Sequence, residues 1–240
     1  MKTLQKEYPI QPESENYNTE PKKYDMEYVN NVFTTENANY ELRTKCHKED
    51  YFLYDFNEDS KVLDFGTGLG HNTIWIKNKY GYDINKGIYP ELRKKGFIMF
   101  DKIQDIPNDF FDEILISQVL EHVDFPMETL KTLHRKLKVG GKIRVVVPNI
   151  RYKVPTNLNS EYVSGHLHAW THTELNYLLN RSGFENVYNK IIYRRGEVVF
   201  NKLPFKLYRL LTKFTGRLTG DFDVFVVSKK LETTNQQRNY

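Results

Sequence analysis

The stretch Val62-Leu63-Asp64-Phe65-Gly66-Thr67-Gly68-Leu69-Gly70 decides how this chain is read. An apolar run ends in three glycines at alternate positions. A turn of this kind, from strand into helix, brings backbone close to a ligand. Glycine reaches conformations that other residues avoid and leaves no side chain in the way. Ligands of open α/β sheets bind at the carboxyl ends of strands, where this turn lies. The spacing is G-x-G-x-G, with an acid two residues ahead of the first glycine. The dinucleotide fingerprint is G-x-G-x-x-G, and a P-loop ends in Gly-Lys-Ser/Thr. Neither fits. An acid beside the turn suits a cationic ligand better than a phosphate. The stretch therefore reads as the floor of a nucleotide-like cofactor site.

Working outward, Lys61–Phe65 is the first strand and residues 71–80 read as a helix with Ile74 and Ile76 on its apolar side. Residues 80–84 read as a second strand that carries Asp83 at its end. A carboxylate there can accept two hydrogen bonds from ribose hydroxyls, as in dinucleotide folds. Residues 97–100 form a third strand, followed by Asp101. Phe111–Ser117 is the fourth and flows into Gln118-Val119-Leu120-Glu121-His122-Val123. Pro126 suits the first turn of a helix, where its missing N–H does no harm. Met127, Leu130, Leu133 and Leu137 carry the helical period, and Gly140-Gly141 is expected to end it. Residues 142–149 are the fifth strand. Thr171 and Glu174 fit a capping box ahead of Leu175, Leu178 and Leu179, with Gly183 ending that helix. Phe184–Tyr193 and residues 223–227 read as the last two strands.

The D-x-G-x-G-x-G turn is joined by F-D-E-I-L-I-S-Q-V-L-E-H-V at 111–123, L-H-R-K-L-K-V-G-G-K-I at 133–143 and V-P-N at 147–149. Together these resemble the class I S-adenosylmethionine (SAM)-dependent methyltransferases. Thr67 stands where members often have Cys or Ser. The resemblance covers residues 58–150 well and 165–230 more loosely. It implies an α/β, Rossmann-like fold: a seven-stranded, mostly parallel sheet with an antiparallel last strand and helices on both faces. It also implies SAM as cofactor and S-adenosylhomocysteine as product. The cofactor-binding set carried over is Asp64, Gly66, Thr67, Gly68, Gly70, Asp83, Ile84, Asp101, Ser117 and Gln118. Asp101 takes the adenine-side place, with Asp105 as its competitor.

A hydroxyl acceptor needs a base, and histidine titrates near neutrality. His122 follows the fourth strand directly, and His166 and His168 lie on the loop expected to face the acceptor. The alternative for His122 is a structural role in its loop. Some quinone-pathway relatives bind metal through E-x-x-E-H. Gln118 replaces the first Glu here, so no metal is expected. The expected acceptor is a hydroxyl on a small molecule or a glycan. An amine or carbon acceptor, or a non-catalytic SAM-binding protein, stays open.

The chain has 240 residues with 39% hydrophobic content and a formal net charge of +4, enough for one domain with a core and too mild a bias to argue for nucleic acid. The motifs of amino-methylating DNA enzymes and of cytosine-C5 enzymes are absent. Cys46 is the single cysteine, so no intrachain disulfide forms. No run is long and apolar enough to span a bilayer, and the first residues lack a signal-peptide core. A soluble, cytoplasmic protein is expected. Residues 1–20 read as a flexible arm, 21–57 as a helical cover over the cofactor, 58–230 as the methyltransferase domain and 231–240 as a flexible tail. Within 195–220, Leu207, Leu210, Leu211 and Phe214 fall at helical spacing among Lys206, Arg209 and Lys213. This basic amphipathic insertion either packs on its own sheet or makes peripheral membrane contact through 202–218.

Overall fold

The computed structural model describes residues 40–149 and 166–231. The expected N-terminal arm, part of the expected cover, the polar loop before His166 and nearly all of the tail lie outside the described residues. The elements are α1 (Tyr40–Phe52), β1 (Lys61–Phe65), β2 (Asn78–Tyr82), α2 (Tyr89–Lys94), β3 (Ile98–Met99), β4 (Phe111–Ser117) and α3 (Pro126–Lys136). Then come β5 (Leu137–Pro148), α4 (His172–Arg181), β6 (Phe184–Tyr193), α5 (Glu197–Phe200), α6 (Phe205–Thr219) and β7 (Phe222–Lys230).

The seven strands form one sheet in the order β3-β2-β1-β4-β5-β7-β6. Pairings from β3 to β5 are parallel, and β7 runs antiparallel to both β5 and β6. The fold is thus the Rossmann-like one the motifs implied. Central strands carry apolar residues on both faces, as parallel sheets covered on both sides require, and the buried Asp64, Glu113 and Arg144 sit among them. Leu63, Ile114, Ile116, Val145 and Val147 pack with Leu130 and Leu133 of α3 and Leu175 and Leu179 of α4. Their neighbours Val62, Leu115 and Val146 point to the other face and pack with Tyr51 and Phe52 of α1. The chain reverses its winding between β1 and β4, so their carboxyl ends open a crevice there.

Four local expectations change. Residues 71–80 form no helix. Asn72 and Thr73 spend their side chains on other elements: Asn72 meets His47 at 2.5 Å and the Thr73 hydroxyl donates to Asp64 at 2.7 Å. Two short hydrogen-bonded turns, on the Gly70 and Thr73 carbonyls, remain before β2 starts at Asn78. The second strand accordingly ends at Tyr82, which leaves Ile84 outside it and half-exposed. The glycine pair does not end α3, which stops at Lys136. Gly140 (φ +76°) and Gly141 lie inside β5, where the register with β4 jumps and a Cβ on Gly141 would sit 2.9 Å from the Lys138 carbonyl. Leu137, expected on the helix stripe, is a buried strand residue.

The capping box forms as read. Thr171 Oγ accepts from Glu174 N at 3.2 Å, and the Glu174 carboxylate accepts from Thr171 N at 2.9 Å.

Candidate active site

The glycine turn is pinned to the end of β2. Gly66 N and Thr67 N donate to the Tyr82 carbonyl at 2.8 and 3.2 Å, and the Thr67 hydroxyl donates to the Asp64 carbonyl at 2.9 Å. Gly68 N donates to Asp83 Oδ2 at 2.8 Å, and Asn85 N donates to Oδ1 at 2.8 Å. The three glycines do different jobs. A Cβ on Gly66 would meet Val119 Cγ2 at 2.2 Å, and one on Gly70 would meet Leu92 and Phe97 at 2.9 Å. Both keep the turn close to its neighbours. Gly68 (φ +50°) has nothing within 4 Å of the same position, so its open side faces the cavity.

That cavity has a volume of about 700 Å³, within the range for small-molecule and cofactor sites. Its floor is Gly66, Thr67, Gly68 and Asp83, and Ser117 and Gln118 stand across the crevice at the end of β4. Gln118 holds the left-handed conformation (φ +57°), an uncommon state for a non-glycine residue that clusters at functional sites. Asp64 lies beneath the floor, fully buried. Its Oδ2 accepts from Thr73 while Oδ1 has no hydrogen-bond partner among the described residues. Burial holds its carboxyl well above the usual carboxylate range, and the Asp83 charge adds to this. Burial also raises Asp83, against the hydrogen bonds from Asn85 and Gly68.

The expected cofactor residues are therefore not all equivalent. Gly66, Thr67, Gly68, Asp83, Ser117 and Gln118 line the cavity. Asp64 and Gly70 support the turn from behind. Ile84 and Asp101 are outside the lining, and Asp101 is an exposed residue with Arg93 at 3.7 Å. The lining residues suit a SAM-sized ligand: an acid for a diol at Asp83 and an open glycine edge at Gly68.

The third wall is built from residues that the sequence did not single out. Helix α1 contributes Arg43, His47 and Tyr51, the turn after β6 contributes Arg194, and β7 contributes Asp223. Arg194 Nη2 donates to Tyr51 Oη at 2.9 Å and to Asp223 Oδ2 at 3.0 Å. Gln118 Nε2 donates to Asp223 Oδ1 at 3.2 Å. Burial raises the Asp223 carboxyl above its ordinary range, and Arg194 partly offsets this. Burial pushes Tyr51 up to about 12. It lowers both cavity histidines, His47 well below its usual value and His71 to about 3, so both are neutral at pH 7. Arg194 and Asp223 also line a smaller adjoining cavity of about 190 Å³ with Pro148 and Asn149. The signal for Asp223 was available: an antiparallel strand begins at the edge where its parallel neighbours end.

The three histidines come together away from this lining. His122 and His166 stack edge to face with ring centres 4.7 Å apart. His168 Nε2 lies 2.8 Å from the Val123 carbonyl, and Leu167 N and His168 N donate to the Glu121 carbonyl at 2.7 and 3.2 Å. Glu121, His122 and His166 each offer one metal-type ligand atom within 4.8 Å of the others. The Glu121 carboxylate is buried with no hydrogen-bond partner among the described residues, His122 Nε2 lies 3.9 Å from its Oε1, and burial raises it to about 7.

A family model described as a methyltransferase domain matches residues 35–189. The chain belongs to this methyltransferase family. Its fold is that of the class I SAM-dependent members, and SAM is the cofactor of that fold class. Similar to this methyltransferase is a ubiquinone/menaquinone biosynthesis C-methyltransferase of Xanthomonas oryzae, 29% identical over 145 residues, covering 49% of this chain and 57% of that protein. The chain spans about half the length of the curated relatives it matches. Among solved structures, a SAM-dependent methyltransferase of Thermotoga maritima superposes with a TM-score of 0.58 at 18% identity, over 85% of this chain and 95% of the other. The 1,6-didemethyltoxoflavin-N1-methyltransferase of Burkholderia thailandensis, solved with S-adenosylhomocysteine, gives 0.55 at 18% identity over 88% and 85%. These two likenesses bear on the fold of the methyltransferase. No described helix is long and apolar enough to cross a membrane.

Proposed function

We propose that the protein transfers a methyl group from SAM to a hydroxyl of a small-molecule or glycan acceptor, with Asp223 as the proton acceptor. The observation that carries this is the Arg194–Asp223 pair on the shared wall of the two cavities, beside Gln118. SAM, when bound, supplies an electrophilic methyl group. Asp83 and the edge of Gly66 to Gly68 would hold it, and Ser117 and Gln118 would bound its reacting side. Arg194 and Gln118 aim the Asp223 carboxylate into the cavity, and partial burial raises its basicity toward what a general base needs. Helix α1 lines the cavity with Arg43, His47 and Tyr51, and Tyr51 anchors Arg194.

In this reading His122, His166 and His168 brace the loop after β4 around Glu121, and His122 is the second candidate for the base. A mass-shift screen of acceptors with labelled SAM, followed by kinetics of Asp223→Asn and His122→Ala, separates the two. Asp223→Asn should lower kcat about a hundredfold or more, with S-adenosylhomocysteine affinity little changed. Wild-type turnover in Asp223→Asn with a collapse in His122→Ala moves the base to His122. A carbon acceptor is the second reading, favoured by the name of the Xanthomonas relative. Product NMR distinguishes an O-methyl from a C-methyl group.

A further inference from the structure

Helix α6 turns its apolar row outward. Leu207, Leu210, Phe214 and Leu218 are 42, 64, 57 and 69% exposed. Intervals of three and four residues stack them along one side. The opposite side, with Tyr208, Thr212 and Gly216, is buried. This orientation is locked. A Cβ on Gly216 would stand 2.6 Å from Arg194 N, so the helix touches the end of β6 backbone to backbone. Thr215 Oγ donates to the Arg195 carbonyl at 2.7 Å, and Arg209 binds both carboxylate oxygens of Asp50 at 2.6 and 2.8 Å. The apolar row cannot rotate inward without breaking all of these.

Charge beside the row has one sign. Lys206, Lys213 and Arg217 are exposed on a neighbouring line, and α6 contains no acidic residue. Helix α5, packed against α6, adds Val198 and Val199 at 70 and 76% exposure, and both also line the cavity. Exposed apolar side chains thus occur both on α6 and at the cavity rim. A large exposed apolar surface with a charged border marks an interaction site.

We infer that α5 and α6 dock on an anionic lipid bilayer surface. The apolar row enters the headgroup–acyl boundary, and Lys206, Lys213 and Arg217 meet lipid phosphates. The exposed charges of α6 are all cationic, and the one acid of α5, Glu197, is paired with Arg43 at 3.7 Å and Arg194 at 3.8 Å, which selects this occupant over a mixed-charge protein surface. Docking stands without the acceptor reading. Its consequence, an amphiphilic acceptor that enters past Val198 and Val199, rests on the proposed methyl transfer.

Flotation of the full chain with vesicles tests this. Vesicles of phosphatidylcholine with phosphatidylglycerol should carry the protein, phosphatidylcholine alone should carry far less, and added salt should weaken binding. Leu210→Gln/Phe214→Gln should lower vesicle affinity roughly tenfold or more, and Lys206→Glu/Lys213→Glu should abolish the preference for the anionic lipid. Thermal melts of both variants should match wild type, since all four side chains are exposed. Failure to float with the anionic vesicles overturns the inference, as does unchanged binding by the Leu210/Phe214 variant. Light scattering that finds a dimer dissociated by that variant, with no vesicle binding, assigns the row to a second copy and also overturns it. None of these readouts needs methyl transfer, so they fail independently of it.

Discussion

Arg144 should hold helix α1 to the sheet, and its replacement should be costly. It lies in the middle of β5 with no exposed surface. Its Nε pairs with the buried Glu113 carboxylate, Nη1 donates to the Tyr51 carbonyl at 2.9 Å, and Nη2 donates to the Asp55 carbonyl at 3.3 Å. Tyr51 and Asp55 bracket the end of α1, which carries Arg43, His47 and Tyr51 over the cavity. Arg144→Met strands a buried carboxylate, a loss of about 3–5 kcal/mol. It also strips the Tyr51 carbonyl of its donor, at about 1 kcal/mol more. The sum of about 4–6 kcal/mol is a large share of a domain's usual stability of about 5–15 kcal/mol.

At about 2–4 °C per kcal/mol for a chain of this size, the melting temperature should fall by about 10–20 °C. Glu113→Leu/Arg144→Met removes both charges and should regain about 3 kcal/mol over the single variant. The single variant should also be pH-sensitive. Burial already raises Glu113, and without Arg144 the folded value rises further. A raised folded value means stability present at low pH and lost as pH rises, so the deficit should widen from acid to alkaline buffer. Urea unfolding followed by circular dichroism measures all of this. A loss under about 1 kcal/mol, or a double variant no better than the single, would refute the reasoning.

The glycines separate fold from binding. Gly66→Ala combines left-handed strain with the overlap on Val119 and should cost about 3 kcal/mol, whereas Gly68→Ala has only the strain, about 1 kcal/mol, yet should weaken S-adenosylhomocysteine binding about tenfold or more because its methyl enters the cavity; calorimetry and thermal melts read both. Glu121 has a folded value of about 7, above its unfolded one. Wild type should therefore lose stability as pH rises from about 4.5 to 7, and Glu121→Gln should flatten that slope in melts taken across the range. If Asp223 is the base, kcat should fall as pH drops through its raised value and protonation removes the acceptor lone pair, and this acid limb should vanish in Asp223→Asn.

Much of the site was legible because backbone rules govern it. The alternate glycines, the acid after β2 and the run into Gln118 each follow from what a parallel sheet presents at its carboxyl edge. The capping box at Thr171 was equally readable, since both partners lie within one turn. Long-range contacts were not. The contact of Asn72 with His47 and the bond from Thr73 to Asp64 overrode a local helix pattern between Gly70 and β2. Gly140-Gly141 looked like a helix stop and serves a register jump instead, which depends on β4. Arg194 and Asp223 lie 29 residues apart and meet only because β7 pairs antiparallel beside β6. The outward face of α6 was open from its spacing, and Gly216 decided it by fitting against the Arg194 backbone.

The central claim is that the cavity above Gly66-Thr67-Gly68 and Asp83 holds SAM. Titration calorimetry of the folded protein with S-adenosylhomocysteine tests it most directly, with Asp83→Ala as the paired variant. Saturable one-to-one binding that Asp83→Ala weakens by at least about tenfold is the predicted result. No binding by a protein whose circular dichroism and melting are intact, or equal affinity in Asp83→Ala, would contradict it.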